Sequence, residues 1–571
     1  MTHAAPAQRP ADRPPSAAPA VAIVNVNLIR MDRDRLERGQ TVVVQGDWIS
    51  AIGTAGEVIV PEAAMVIDGT NRYLLPGLTD AHVHLPGFLP GLTRQDFGDA
   101  PLYLANGITT VVNLGGTATE LEWRQRIATG DLLGPTIYTS GPFINEPRVN
   151  TPEDVQREVV SQARQGYDVI KFHELPDTTT GLSLAAYRKM METAREVGIP
   201  LVGHAPNNLG LDVMLEERQS LAHVGVLANI YFLPLQANFR FVTVSATALL
   251  LLILVVLTWA GATLVGRLRQ TPPRRPPTLS RVRAITRWVL VASVAGFSSA
   301  GLFYPGGPLF DSITLRVVFT AAAVFIAIAA LLLSAHTVKL WRNTSASTSV
   351  RIQASLVSIT SLALAFCLAT FWIPLSWRST DRGIERLAER LHNAGISVET
   401  TLVVYETMRT PGRLSLLQDP AISYLRADTR DRWQRQPQAG IPGNRYGQFM
   451  EKVIGALHRA GVPLVAGTDA MGLPLVAPGT SLQRELELLT ESGLTPYEAI
   501  RAATVAPAVF LRKDNEFGSL GVGKRADLLL LEGNPLQSVD NLKQLVGVVV
   551  RGKWLPSERL HQMLADLVGK E

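Results

Sequence analysis

Leu75-Pro76-Gly77-Leu78-Thr79-Asp80-Ala81-His82-Val83-His84-Leu85 is the stretch whose reading decides the fold. Pro76 and Gly77 break the preceding element, so a new one starts after them. The residues beyond them have the composition of a short buried strand, and in a strand residues i and i+2 share a face. His82 and His84 therefore project together, and two adjacent imidazoles make half a chelate for a divalent metal. Such a pair also occurs as two ordinary strand histidines, so the reading depends on whether later strands supply further ligands.

Later strands supply them, in order. Asp168-Val169-Ile170-Lys171-Phe172-His173 is an apolar run carrying a lysine, and Ile199-Pro200-Leu201-Val202-Gly203-His204 ends in histidine. Ser220-Leu221-Ala222-His223-Val224 adds another histidine, and Val462–Asp469 is a last strand ending in Asp469. Each polar residue stands at the C-terminal end of a β run, where a (β/α)8 barrel gathers its active site. His82, His84, His173, His204 and His223, five of the ten histidines, fall on these strand ends.

These motifs resemble the amidohydrolase superfamily of metal-dependent hydrolases, and within it the imidazolonepropionase-like and prolidase-like branch. The matching text is PGLTDAHVHL, VIKFH, VGHA, LAHV, AGTDA with the PGTSLQRELELLTESGLTPYEAIRAATVAPA after it, and GSLGVGKRADLLLLEGNPL. It spans roughly residues 20–235 and 383–556. The resemblance implies an α/β chain: a (β/α)8 TIM barrel beside a discontinuous small β-sandwich made from the two ends, neither of which has enough strands to bury a face alone. His82, His84 and Asp469 are assigned to one metal, and His204 and His223 to a second. The resemblance further implies that Lys171 is carboxylated by carbon dioxide and that its carbamate bridges both ions. Imidazole and carboxylate ligands suit zinc, with manganese, cobalt or iron tolerated. Two metals sharing a water lower its pKa toward neutrality. The metal-bridging hydroxide would attack a carbonyl carbon, with Asp469 taking the proton and passing it to the leaving nitrogen. His173, two residues after Lys171, and Tyr231, after the sixth strand, are candidate substrate contacts. Asn113 stands where the family commonly has an acidic residue, so that loop is a poor guide to substrate.

At 571 residues the chain calls for two or three domains. The single cysteine, Cys367, excludes an intrachain disulfide and a cysteine-based metal site. The net charge of +5 conceals a division: residues 241–380 carry twelve Lys/Arg and one acid, Asp311, a net of +11, which leaves −6 elsewhere. No basic stripe interleaved with aromatics argues for nucleic acid. Residues 1–19 are rich in Ala and Pro, lack the charged-then-apolar order of a secretory signal, and read as disordered. Residues 20–75 and 513–556 read as the composite β-sandwich, 76–240 and 381–512 as the barrel, and 557–571 as a helical tail.

Between the sixth and seventh strands the pattern breaks. Phe241–Val265, Trp288–Tyr304, Ile313–Ala335 and Ile352–Trp377 are apolar runs, read here as an inserted all-α bundle of four transmembrane helices spanning 241–380. Trp288, Tyr304, Trp341, Trp372 and Trp377 stand near run ends like interfacial anchors, and Arg316 is close enough to an end to snorkel. An even number of crossings returns the chain to its starting side, as an uninterrupted barrel requires. Arg267, Arg269, Arg274, Arg275, Arg281, Arg283 and Arg287 follow the first run, and the positive-inside rule places them in the cytoplasm and the barrel outside. The absence of a signal pattern ahead of the first 240 residues points to the opposite side. The expectation is a multi-pass protein of the bacterial plasma membrane: a membrane-anchored binuclear amidohydrolase cleaving amide or cyclic-amide C–N bonds. Its substrate would be a dipeptide, an N-acyl amino acid or an imidazolone-like small molecule, and its other partner the lipid bilayer. The alternative is a membrane sensor that uses a metal-containing barrel as its ligand module.

Overall fold

The computed structural model describes residues 20–85, 96–145, 147–174, 181–234, 238–268, 277–300, 312–342, 346–409, 420–435 and 445–568. The expected disordered segment 1–19 lies outside them. The chain divides into two units, one of Met1–Val226, Ala388–Gly443 and Gly447–Glu571, the other of Leu227–Leu387 with Asn444–Tyr446.

In the first unit both ends of the chain build one sheet. Its strands are β1 (Val21–Ile29), β2 (Leu36–Gln45), β3 (Trp48–Thr54), β4 (Met65–Asp68) and β5 (Tyr73–Pro76) from the N-terminal side. Those from the C-terminal side are named by range. Leu528–Leu531 pairs antiparallel with β5, Leu530 opposite Leu74, and Leu545–Val550 and Lys553–Pro556 extend the sheet outward. The four consecutive leucines 528–531 are all buried, as a strand covered on both faces should be. Among the described residues these strands form one eight-stranded sheet, where a sandwich of stacked sheets was expected.

The site is carried by parallel strands: β6 (Leu78–Val83), β7 (Ile108–Asn113), β8 (Thr136–Thr139), β9 (Ile170–Phe172), β10 (Leu201–Gly203), β11 (Ser220–Leu221), β12 (Val398–Glu399) and β13 (Leu464–Val465). β6–β8 form a three-stranded sheet and β9–β13 a five-stranded one, each in chain order. Isolated parallel bridges, Ser140 with Val169 and Val83 with Ala470, connect the two sheets. Ala81, Val112 and Tyr138 from one share a core cluster with Val202 and Val465 from the other. An unbroken eight-stranded ladder is not what the described residues form. The interruptions lie between β8 and β9 and between β13 and β6, where the isolated bridges stand; β11, β12 and β13 are themselves two residues long, and His223, Thr401 and Asp469 beyond them take positive φ of 69°, 45° and 60°. Left-handed backbone ends a ladder and is costly for a β-branched threonine. Strand β12 ends at Glu399, and Leu402–Arg409 is helical.

Helices separate the strands. In Pro152–Gln165, Thr151 and Asp154 make a capping box, Pro152 opens the first turn and Gly166 closes the helix at φ 86°. Leu184–Glu196 buries Tyr187, Met191 and Ala194 along one face, while Leu184 at its start is 39% exposed.

The second unit is helical. Three of its helices are long and apolar enough to cross a membrane: Phe239–Val265, Ile313–Arg342 and Thr348–Ser376, with mean hydropathies of 2.6, 2.7 and 2.1. The fourth expected crossing does not qualify among the described residues. Helix Pro277–Ala300 carries Arg281, Arg283 and Arg287 in its first half, and the rest of that apolar run lies outside the described residues. Leu250, Leu254, Leu257, Ile328, Leu331, Ile359 and Phe366 are exposed on the three apolar helices. Inside, Trp259 donates to Gln353 Oε1 at 2.7 Å and Thr337 meets Ser358 at 2.7 Å. Two expectations are corrected here. Arg316 does not snorkel: it is 4% exposed and donates to Ser379 Oγ at 2.8 Å. Trp372 is packed inside, donating to Ser245 Oγ at 3.0 Å, rather than placed as an interfacial anchor.

Candidate metal centre

Asp80, His82 and His84 alternate along the buried strand β6 and its end, and all three side chains are buried. Asp80 ties β6 to the end of β13: its carboxylate accepts from Thr468 Oγ1 at 2.7 Å, from Thr468 N at 3.1 Å and from His82 N at 3.3 Å. That clamp brings Asp469 to the two histidines. Asp469 Oδ1 is 3.0 Å from His84 Nε2 and 3.7 Å from His82 Nε2. One ligand atom from each of these three residues lies within 4.8 Å of the others.

The other expected ligands adjoin this group. Lys171, on β9 and 1% exposed, places Nζ 3.4 Å from His82 Nε2. His223 lies beside His82 with ring centroids 4.3 Å apart, and His204 lies 5.2 Å from His223. The tight three-donor group does not include His204 and His223, which form a neighbouring pair. All six residues thus meet at the C-terminal ends of β6, β9, β10, β11 and β13.

Electrostatics favour the ligating forms. Burial, followed by the nearby Lys171 charge, holds His82, His204 and His223 well below the usual histidine range, so these rings are neutral. Neutral imidazole is the form that binds a metal. Burial lowers Lys171 to about 8, against the opposing attraction of Glu399 and Asp469. Burial raises Glu399 to about 8, with Lys171 pulling it down.

The two candidate substrate residues part company. His173 lies at the cluster: its ring is 4.3 Å from His204 and stacks on Phe143 at 4.4 Å, with 6° between the planes. Burial first, then Lys171, lowers it to about 4. Tyr231 belongs to the second unit. Its hydroxyl donates to Gly383 O at 3.0 Å, Arg378 donates to its carbonyl at 2.7 Å, and the Arg378 guanidinium lies 5.0 Å from its ring centre. Those contacts make it a packed residue of the helical unit.

Four further residues of the site are absent from the sequence-based expectation. Glu399 Oε2 is 2.8 Å from His82 Nδ1, and Thr401 Oγ1 is 3.2 Å from His223 Nδ1. The Glu174 carbonyl accepts from His204 Nδ1 at 2.9 Å, and Phe143 packs edge-on to His84, centroids 6.4 Å apart. Glu399 is recoverable by the signal that marks Lys171, a charged residue at the end of an apolar strand. A main-chain carbonyl and a ring in an irregular loop leave no such mark. A cavity of about 600 Å³ lined by Ser397, His458, Val462 and Phe510 lies at the opposite ends of β12 and β13, away from this chemistry.

Comparison with known proteins agrees with this architecture. The model of the amidohydrolase family matches residues 73–223 and 365–555, and the interval between them falls largely in the helical unit. The chain is 30% identical over 140 residues to 5-methylthioadenosine/S-adenosylhomocysteine deaminase of Caldanaerobacter subterraneus subsp. tengcongensis, covering 23% of this chain and 30% of that one. It is 36% identical over 112 residues to imidazolonepropionase of Aeromonas hydrophila subsp. hydrophila, covering 19% and 26%. The chain thus spans less than a third of the length of these curated relatives. Among solved structures it resembles a bottromycin amidohydrolase, with a TM-score of 0.55 at 18% identity, covering 98% of this chain and 92% of that one. It also resembles a Xaa-Pro dipeptidase, with a TM-score of 0.51 at 16% identity, covering 94% and 100%. With the family model matching more than half of its residues, this chain belongs to the amidohydrolase family.

Proposed function

We propose that the protein is a membrane-anchored, metal-dependent hydrolase of amide or cyclic-amide C–N bonds, built on a (β/α)8 barrel. The observation that carries this reading is the convergence of His82, His84 and Asp469, with Lys171 3.4 Å from His82. The donor set fits divalent cations such as zinc: imidazole nitrogens and a carboxylate, in a buried cluster. His82, His84 and Asp469 would hold one ion, and His204 and His223 a second, with Lys171 between them as its carbamate. Bound metal would supply Lewis acidity and a water of lowered pKa.

The chain's own groups do the rest. Asp469, 7% exposed, is positioned to take a proton from the attacking water and return it to the leaving nitrogen, base then acid. His173, neutral and stacked on Phe143, presents a ring nitrogen beside the cluster and is assigned to substrate contact. The substrates proposed are small amides: dipeptides, N-acyl amino acids or imidazolone-like rings, a reading supported by the likeness to an imidazolonepropionase and a Xaa-Pro dipeptidase. A sensor module would have no use for a carboxylate placed to move a proton.

Membrane anchoring rests on the three apolar helices and their exposed leucines. The family match lies on both sides of the insertion, and both halves of one fold must occupy the same side of the bilayer. An odd number of crossings cannot achieve this. The proposal therefore takes four, with helix Pro277–Ala300 contributing the remaining one, in a bacterial plasma membrane. Metal analysis of the purified protein, with a panel of dipeptides and N-acyl amino acids assayed with and without chelator, tests the function. Hydrolysis that chelator abolishes and zinc restores is the expected result. A protein that binds metal but leaves every amide in the panel intact refutes the substrate class.

A further inference from the structure

We infer that β12 and the residues just after it, which follow the insertion in the chain, orient the metal centre through Glu399 and Thr401. This rests on reading the cluster as a metal site. Glu399 is 3% exposed, and His82 Nδ1 is the hydrogen-bond partner described for its Oε2, at 2.8 Å. Its other oxygen has no hydrogen-bond partner among the described residues. A carboxyl group with one oxygen unpartnered is expensive to bury and is seldom kept for stability, since an apolar residue of similar volume packs as well or better.

What Glu399 does for His82 is chemical. With a metal on Nε2 the ring proton sits on Nδ1, and Glu399, 2.8 Å away, is placed to accept it as the carboxylate. Nε2 is the atom that faces Lys171 at 3.4 Å and Asp469 at 3.7 Å. His204 is fixed in the same sense, because the Glu174 carbonyl at its Nδ1 can only accept. Thr401, held at φ 45°, places its hydroxyl 3.2 Å from His223 Nδ1. Three of the four ligating rings are thus held by Nδ1, leaving Nε2 to point at the cluster. The strained backbone at Thr401 fits this role, since such strain collects where a side chain must be aimed. Glu399 is a positioning residue: it sets the tautomer and rotation of His82 and raises the basicity of the nitrogen left to bind metal.

The test uses the full-length protein in detergent, stripped with chelator and titrated with cobalt, whose visible absorption reports ligand geometry. Glu399→Leu is expected to weaken cobalt affinity by about 10- to 100-fold and to change the absorption band. The metal-free variant should unfold at or above the wild-type temperature, because a buried carboxylate has been removed. Thr401→Val should change the spectrum with a smaller loss of affinity. Glu399→Gln, which keeps the shape but can also donate, should give two His82 tautomers in ¹⁵N spectra of the metal-free protein. Wild type that binds no cobalt or zinc overturns the metal-centre reading itself. Wild type that binds, together with Glu399→Leu of unchanged affinity and band, overturns only the orienting role. If Glu399→Leu does not fold, a single His82 Nδ1–H tautomer in Glu399→Gln overturns the orienting role in its place.

Discussion

If Lys171 serves as the carbamate proposed above, metal loading will depend on both pH and carbon dioxide. The amine is 1% exposed, and burial lowers it to about 8 against the pull of Glu399 and Asp469. Only a neutral amine adds carbon dioxide. At pH 8 about half of such amines are neutral, against roughly 0.4% of an ordinary lysine, so burial enlarges the reactive fraction by about two orders of magnitude. At pH 6 the neutral fraction falls to about 1%. The same shift affects the stability of the metal-free protein. The folded pKa is depressed, so the folded state binds fewer protons than the unfolded one between about pH 8 and 10.4. The contribution is complete above the unfolded value and is lost as pH falls through about 8, at most about 3 kcal/mol. The assay is zinc reconstitution of stripped protein at pH 6, 7 and 8, with ¹³C-bicarbonate or in carbon-dioxide-free buffer. It reads zinc per chain and the carbamate carbon by NMR. Uptake should rise with pH and with bicarbonate, and Lys171→Gln should lose the bicarbonate response. Full zinc uptake at pH 8 without bicarbonate and without a carbamate signal would refute the reasoning.

Asp469→Asn should lower turnover by about 10²- to 10⁴-fold while leaving much of the metal bound, measured by steady-state rates beside metal analysis; near-normal rates would remove Asp469 from the proton path. Glu485 is fully buried, accepts from Val403 N at 2.8 Å and from Thr400 Oγ1, and is raised to about 7 by burial. A raised carboxylate costs stability as pH climbs from its unfolded value to about 7, up to about 3 kcal/mol. Glu485→Gln should therefore flatten thermal unfolding across pH 4.5 to 7.5, and an unchanged slope would show that Glu485 does not titrate there. Leu530→Ala, at a fully buried site opposite Leu74, should cost about 2–5 kcal/mol and lower Tm; a wild-type Tm would mean the sheet does not join the chain's ends.

Much of the centre is legible in the sequence because its ligands obey strand periodicity. His82 and His84 differ by two, and Lys171, His204 and Asp469 each close an apolar run. The composite sheet is legible from apolar strands at both ends, although its single-sheet form is not, since alternation reveals a buried face but not what covers it. β11 and β12 are shorter than their apolar runs, and the positive φ two residues beyond each, at His223 and Thr401, has no signature in residue type. Tyr231, expected as a substrate contact from its place after the sixth strand, is engaged instead with Gly383 and Arg378, partners more than a hundred positions on that no local pattern announces. Arg316 departs from its expected place because hydropathy cannot foresee Ser379, 63 positions later, as its partner.

The insertion also divides the centre in time. A chain emerges N-terminus first, so His82, His84, Lys171, His204 and His223 leave the ribosome before the apolar helices, while Glu399 and Asp469 follow them. A nascent chain halted in the helical segment holds the imidazoles and the lysine but neither late carboxylate. Metal capture by the full set of proposed ligands would therefore come after the hydrophobic segment has been synthesised, and a chain that stalls there would lack Asp469 and Glu399.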